Sequence, residues 1–394
     1  MSGSARPGSR LWLVDHLLRD PIGHHLGYNL ALADAAAELG HVPVLATHRA
    51  FPRDLADGRE VHNIFRQDWR TAPPVWMSRN IRLLRVLEHF STARFGADLA
   101  KIRRAVNKED ILFAQMLAPR HFIQWLGWFS SLPEPPRLAM HLGYQPARFG
   151  SAAVRAALDG LSAAARRRVC FITDSEKLVP AFEEILRTKV YHLPHVISFE
   201  IPAPEPRPPE PPLRLLSLGN ARREKGFREI VQAAALLAPW RAEGQLQFQI
   251  QCHHPDHESA GLLAAGRPGG SGLVWLEAAL PDREYVAELV RADVLLLPYH
   301  LDYYASRTSG VFCEARVAGK PVVATAGSWM GDRVAREGGG WLVPERDPQA
   351  LAACLKKIPS EFAGIAAEAR ALAEKARREF CRRAFVRGLL ELVE

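Results

Sequence analysis

The stretch Leu215–Phe227, LLSLGNARREKGF, decides the reading of this 394-residue chain. The apolar run Leu213–Leu218 has the length of a buried strand and stops at Gly219. A glycine there lets the backbone approach a ligand closely. Arg222, Arg223 and Lys225 follow, and Phe227–Leu237 then takes helical spacing. Fixed positive charge and backbone N–H groups at a strand-to-helix loop suit a diphosphate. The competing reading is a solvated basic helix start. That is poor electrostatics, because cations are disfavoured at helix N-termini.

The same alternation continues outward. Strands are expected at Leu246–Gln251, Leu273–Leu276, Val294–Pro298, Pro321–Ala324 and Trp341–Val343. Helices are expected at Asp282–Arg291, Gly310–Ala318, Ala350–Lys356 and Glu361–Glu394. In the first half, Leu11–Asp15, Val42–Ala46, Ile111–Gln115, Arg137–His141, Val169–Thr173 and Val190–Leu193 read as strands. Tyr28–Leu39 reads as a helix stopped by Gly40. Short apolar strands alternating with helices imply an α/β protein with doubly wound parallel sheets, covered on both faces. Between the halves lies Ile201–Pro212, IPAPEPRPPEPP. Seven prolines in twelve residues predict a stiff, extended linker. The expected division is therefore 1–199, a linker 200–212, a second domain 213–375 and a last helix 376–394. Ligands in open α/β sheets bind at the carboxyl ends of strands, so residues just after each strand matter most.

Hydrophobic residues make up 48% and charged residues 24%, which excludes wholesale disorder, collagen and coiled coil. No stretch approaches the roughly 20 apolar residues that span a bilayer. Met1–Arg10 runs into Leu11–Val14 without the apolar core of a signal peptide. The five cysteines form no CxxC pair, a pattern of reducing compartments. The expectation is a soluble cytoplasmic protein. Residues 1–199 hold 26 Lys and Arg against 18 Asp and Glu, the whole of the formal net charge of +8. A basic half points either to an anionic partner or to a solvated arginine-rich surface. Nucleic acid is not supported, since no zinc-finger spacing or RNA-recognition signature is present.

Three segments, LLSLGNARREKGF, ADVLLLPYH (Ala292–His300) and SRTSGVFCEARVAGKPVVATAGSWMGDRV (Ser306–Val334), occur in a telling order. Together they resemble the nucleotide-binding domain of the GT-B glycosyltransferases of the retaining family 4, or group 1. The first half resembles the acceptor domain of that family more weakly. The resemblance implies two Rossmann-like domains facing each other across a cleft. It implies transfer of a sugar from a nucleotide-sugar donor, linked to UDP, GDP or ADP, with retention. Neither a metal nor a covalently bound cofactor is expected. The basic first half suits a sugar, lipid-linked or other anionic acceptor, and peripheral contact at the inner membrane face. A non-catalytic nucleotide-sugar-binding scaffold on the same fold is the other reading.

By resemblance, Lys225 lies on the diphosphate and Glu314 accepts the ribose hydroxyls. Two departures stand out. The arginine common after the glycine is Asn220, which Arg222 or Arg223 could replace. A second glutamate, eight positions before Glu314, is Ser306, whose work Ser306, Arg307 or Thr308 would take over. The amides after Ser309, at Gly310 and Val311, could face the phosphates. In the first half, the loop Pro21–Tyr28, with Gly23, closes over donor and acceptor by resemblance, and its His24 and His25 could donate to phosphate or the acceptor. His141 ends a strand near the expected reacting carbon. Pro194-His195-Val196 stands where the family commonly has Pro-Asn-Gly. Cys252–Glu258, CHHPDHE, has metal-ligand residue types but no standard spacing. Ser78–Lys108 reads as a basic amphipathic stretch, suited to anionic lipid or simply to a solvated helix face.

Overall fold

The computed structural model describes residues 8–21, 25–66, 93–143, 145–205 and 210–393. Two compact units emerge: Met1–Ser198 with Arg382–Glu394, and Phe199–Cys381.

The first unit carries a seven-stranded, all-parallel sheet. Its strands are β1 (Arg10–Val14), β2 (Val42–His48), β3 (Glu60–Phe65), β4 (Ile111–Ala114), β5 (Arg137–His141), β6 (Val169–Thr173) and β7 (Val190–His192). They lie in the order β3-β2-β1-β4-β5-β6-β7. Successive side chains of a strand face opposite ways, and β1 shows it. Trp12 and Val14 join the core on one face with Leu112, Leu138 and Met140. Leu11 and Leu13 join the other face with Leu45, Ile111 and Phe113. That second face is covered by the helices His25–Glu38 and Arg382–Val393, whose Phe385 ring lies 5.7 Å from Phe113. Hence β1 reads as an unbroken apolar run: it is buried on both sides. Strand order reverses between β1 and β4, the point at which such sheets bind ligands.

β3 was not expected from the sequence. Its residues EVHNIF are polar at the start and buried only at Ile64 and Phe65, as suits an edge strand paired to β2 alone.

The second unit has a six-stranded parallel sheet: β8 (Leu213–Ser217), β9 (Leu246–Gln251), β10 (Leu273–Leu276), β11 (Val294–Leu297), β12 (Val322–Thr325) and β13 (Gly340–Val343). Their order is β10-β9-β8-β11-β12-β13, with the reversal between β8 and β11. The loop Leu215–Phe227 therefore leaves the sheet at the switch point.

One helical expectation is corrected. The gap predicted around Pro359 does not exist: Pro348–Glu379 is one helix of 32 residues with Pro359 inside it. Proline removes one amide and disturbs one turn. Leu355, Ile358 and Phe362 around it are all buried, so the core holds the helix together. The break falls instead before Arg382, where the next helix begins. The start of the proline-rich stretch is fixed to the second unit. Arg377 donates to the carbonyls of Ile201 (2.8 Å), Pro202 (2.6 Å) and Val317 (3.0 Å).

Candidate functional site

The loop after β8 is held in shape by its backbone. Gly219 has φ +101°, and its N–H donates to Gln251 Oε1 at the end of β9 (2.7 Å). Gly226, at φ +69°, lies against the end of β11: a Cβ there would fall 2.2 Å from the Pro298 carbonyl oxygen. The His300 amide donates to the Glu224 carbonyl (2.9 Å), tying the loop to the same strand end. Between these glycines the short turn Arg223–Lys225 presents Lys225 back toward Gly219.

Lys225 is half-buried, and among the described residues no carboxylate pairs with its ammonium. Burial first, then the like charge of Arg222, pulls its pKa down to about 8. Its Nζ sits 5.8 Å from the Tyr299 ring centroid. Tyr299 lies 4.6 Å from Tyr304, and the Arg307 guanidinium lies 5.6 Å from Tyr304. The two arginines of the loop differ from Lys225. Arg222 approaches Glu224 (3.5 Å), while Arg223 turns to Glu258 (3.7 Å) and gives its amide to Asp256 (2.7 Å).

Ser309 caps the helix Gly310–Val317, accepting from the Phe312 amide (3.3 Å). The first-turn amides of Gly310 and Val311 have no carbonyl in their own helix to bond. One turn in, Glu314 accepts a hydrogen bond from the Tyr285 hydroxyl (2.5 Å). Burial pushes the Glu314 carboxyl up to about 7, against the opposing pull of Tyr285 and Lys225. Lys225 and Glu314 thus feel each other's charge without forming an ion pair. Ser306 and Thr308 are half-buried in the segment leading to Ser309. The second unit therefore gathers Gly219, Arg222, Lys225, Ser309, Gly310, Val311 and Glu314 at its strand ends, and turns Arg223 toward Glu258.

At the corresponding edge of the first unit, Asp15 follows β1. It is bonded by His25 Nδ1 (2.8 Å), Asn29 Nδ2 (2.9 Å) and the Leu17 amide (2.9 Å). Burial alone would raise its pKa, but His25, then the charge of His16 and the Leu17 amide, hold it below the ordinary carboxylate value. Gln115, after β4, donates to Asn29 Oδ1 (2.7 Å). His141 ends β5 and is buried, which lowers its pKa against the pull of Asp174. His195 Nδ1 lies 3.9 Å from Asp174 Oδ2. Asp15, Asn29, Gln115 and Asp174 were not singled out from the sequence. Each is one polar residue beside an apolar strand or within a helix, and only the sheet brings them together. Gly23 and His24 lie outside the described residues, as do residues 78–92 of the basic stretch. The Cys252–Glu258 run is divided by its surroundings. Cys252 Sγ faces the Leu276 carbonyl, and Asp256 caps the helix His257–Ala264. Among the described residues no three metal-ligand side chains converge.

Residues 212–360 match the family model described as Glycosyl transferases group 1. The chain is also similar to the amylovoran biosynthesis glycosyltransferase AmsK of Erwinia amylovora. The identity is 29% over 186 residues, 46% of this chain and 45% of that protein. It spans about half the length of the curated relatives it matches. Among solved structures, sucrose-phosphate synthase from Thermosynechococcus elongatus aligns at 19% identity with a TM-score of 0.68, covering 98% of both chains. The fold is GT-B. HepE of Anabaena, in complex with UDP and glucose, aligns at 14% identity with a TM-score of 0.61, over 98% of this chain and 99% of that one. In this GT-B chain the family match coincides with the unit that holds Lys225 and Glu314.

Proposed function

We propose that this chain transfers a sugar from a nucleotide-sugar donor onto a glycan or lipid-linked acceptor, with retention and without a metal, in the assembly of a polysaccharide. The observation that carries this reading is the half-buried Lys225, which has no carboxylate partner among the described residues and feels the charge of Glu314, at the switch point of the second sheet. Lys225 and the Gly310 and Val311 amides take the donor diphosphate, and Glu314 takes the ribose hydroxyls. In the reaction the bond from the anomeric carbon to the phosphate oxygen breaks, and a bond to an acceptor hydroxyl oxygen forms on the same face. The acceptor's proton passes to the departing phosphate oxygen. Such a step relies on positive charge at the diphosphate more than on a protein base. His141 and its neighbours at the first sheet then serve to position sugar and acceptor. The relatives named for amylovoran and colanic acid biosynthesis support a polysaccharide product. HepE makes UDP the first nucleotide to try. Ser306, in place of a second glutamate, favours one competing reading, a binder that does not turn over; donor hydrolysis separates the two.

The test is thermal stability against UDP, GDP, ADP and their sugars, for the wild type and Glu314→Gln. A ligand at 100 times its Kd adds about 2.7 kcal/mol. Glu314→Gln is expected to abolish that shift while stabilising the free protein. The folded pKa of Glu314, about 7, lies above its ordinary 4.5. The native state therefore holds the extra proton between those values, and stability falls as pH rises from 4.5 through 7. Removing the carboxylate returns up to about 3 kcal/mol above pH 7 and nothing below pH 4.5. If no nucleotide stabilises the wild type, the donor assignment is wrong.

A further inference from the structure

We propose that Arg307, and neither Arg222 nor Arg223, is the second cation on the donor diphosphate. It stands in for the arginine missing at Asn220, and the inference rests on the donor site proposed above. The structure separates the three arginines by their partners. Arg223 is drawn off the site: its amide goes to Asp256, and its guanidinium shares Glu258 with Arg228, each at 3.7 Å. Arg222 is held toward Glu224 at 3.5 Å, although it is the first like charge acting on Lys225. Arg307 forms no ion pair among the described residues, and neither does Lys225. A pair of touching tyrosine rings links these two cations. Lys225 lies over Tyr299, Arg307 over Tyr304, and the ring centroids are 4.6 Å apart. Arg307 also stands three residues before Gly310, at the approach to the helix amides.

Arg307 is among the like charges that depress Lys225, after Arg222, while Glu224 and Glu314 pull the other way. A ligand carrying two negative charges on adjacent phosphates relieves that repulsion. A monophosphate, about −2 at pH 7, carries its charge on one phosphoryl group and meets one cation rather than both. The aromatic faces attract both cations through their ring quadrupoles. The relocation also explains how the loop after β8 tolerates Asn220: the second positive charge comes from the segment leading to Ser309.

The experiment titrates UDP and UMP (and the ADP/AMP and GDP/GMP pairs) into wild type, Arg307→Gln, Arg307→Lys, Arg222→Gln and Arg223→Gln. Arg307→Gln is expected to weaken the diphosphate at least about tenfold and the monophosphate less than about threefold. Arg307→Lys should recover part of the loss, which shows that charge and not packing is at stake. The diphosphate preference should survive in Arg222→Gln and Arg223→Gln. The proposal is overturned if Arg307→Gln keeps the wild-type preference, or if one of the other two variants loses it instead. A wild type that binds none of these nucleotides removes the donor site itself, and this assignment with it.

Discussion

Replacing Lys225 by Gln is expected to lower donor turnover by about 10²–10³-fold, the usual effect of removing one fixed stabiliser of developing negative charge. The fold should not suffer. Lys225 is held partly buried, with no carboxylate partner among the described residues, and its folded pKa of about 8 lies below the ordinary 10.5. Burying the charge therefore costs the native state something at neutral pH. That cost fades as pH climbs from about 8 to 10.5, because the native state releases the proton earlier than the unfolded chain does. Loss of activity with an unchanged or raised melting temperature is the signature sought. The same pKa values set a pH profile. kcat/KM reports groups of the free enzyme. Its alkaline limb should bend near 8, as Lys225 loses its proton. Its acid limb should bend near 7, as Glu314 gains one. The optimum is then narrow, and Lys225→Gln loses the alkaline bend. An alkaline limb that bends near 10 instead would mean that a different, solvent-exposed lysine or a tyrosine governs activity, and Lys225 would be displaced from the site.

Much of this fold is legible in the sequence. Strands buried on both faces, such as Val294–Leu297 and Val169–Thr173, announce themselves as short apolar runs, and their spacing with helices dictates parallel sheets. β3 escaped because an edge strand needs apolar residues only where it meets the core. Pro359 misled because a single residue's preference is small beside the buried anchors on either side of it. In the candidate site, Gly219, Lys225 and Glu314 are legible because each sits at a fixed offset from a strand end or a helix start. The tyrosines are not. Tyr285 reaches Glu314 from the middle of the helix Asp282–Arg291, 29 residues away, and nothing in its neighbours marks it. Nor could the sequence choose among the arginines. Arg222 and Arg223 are adjacent and chemically alike; only packing gives one Glu224 and the other Glu258. Strand-end chemistry is local information, whereas the pairing of charges is tertiary.

Gly226→Ala is expected to cost about 2–5 kcal/mol of stability and to remove most of the nucleotide-induced stabilisation. Two terms combine. An L side chain in the left-handed region costs roughly 1–2 kcal/mol. Forcing a methyl group into a filled space costs about 1–3 kcal/mol more. The space is filled by backbone: the new Cβ would meet the Pro298 carbonyl oxygen at 2.2 Å and Pro298 Cγ at 2.8 Å, and neither can swing away as a flexible side chain would. The turn Arg223–Lys225 must therefore lift off the end of β11, carrying Lys225 with it. Gly244 supplies the control. It has the same φ of +69°, yet nothing lies within 4 Å of its would-be Cβ. Gly244→Ala should show the conformational term alone, about 1–2 kcal/mol, with nucleotide binding intact. The difference between the two variants, read by denaturant unfolding and by the UDP-induced shift in Tm, isolates the close approach of the loop to the strand. Equal losses in both, with the shift preserved in both, would mean that the loop yields easily and that its contact with Pro298 does not position Lys225.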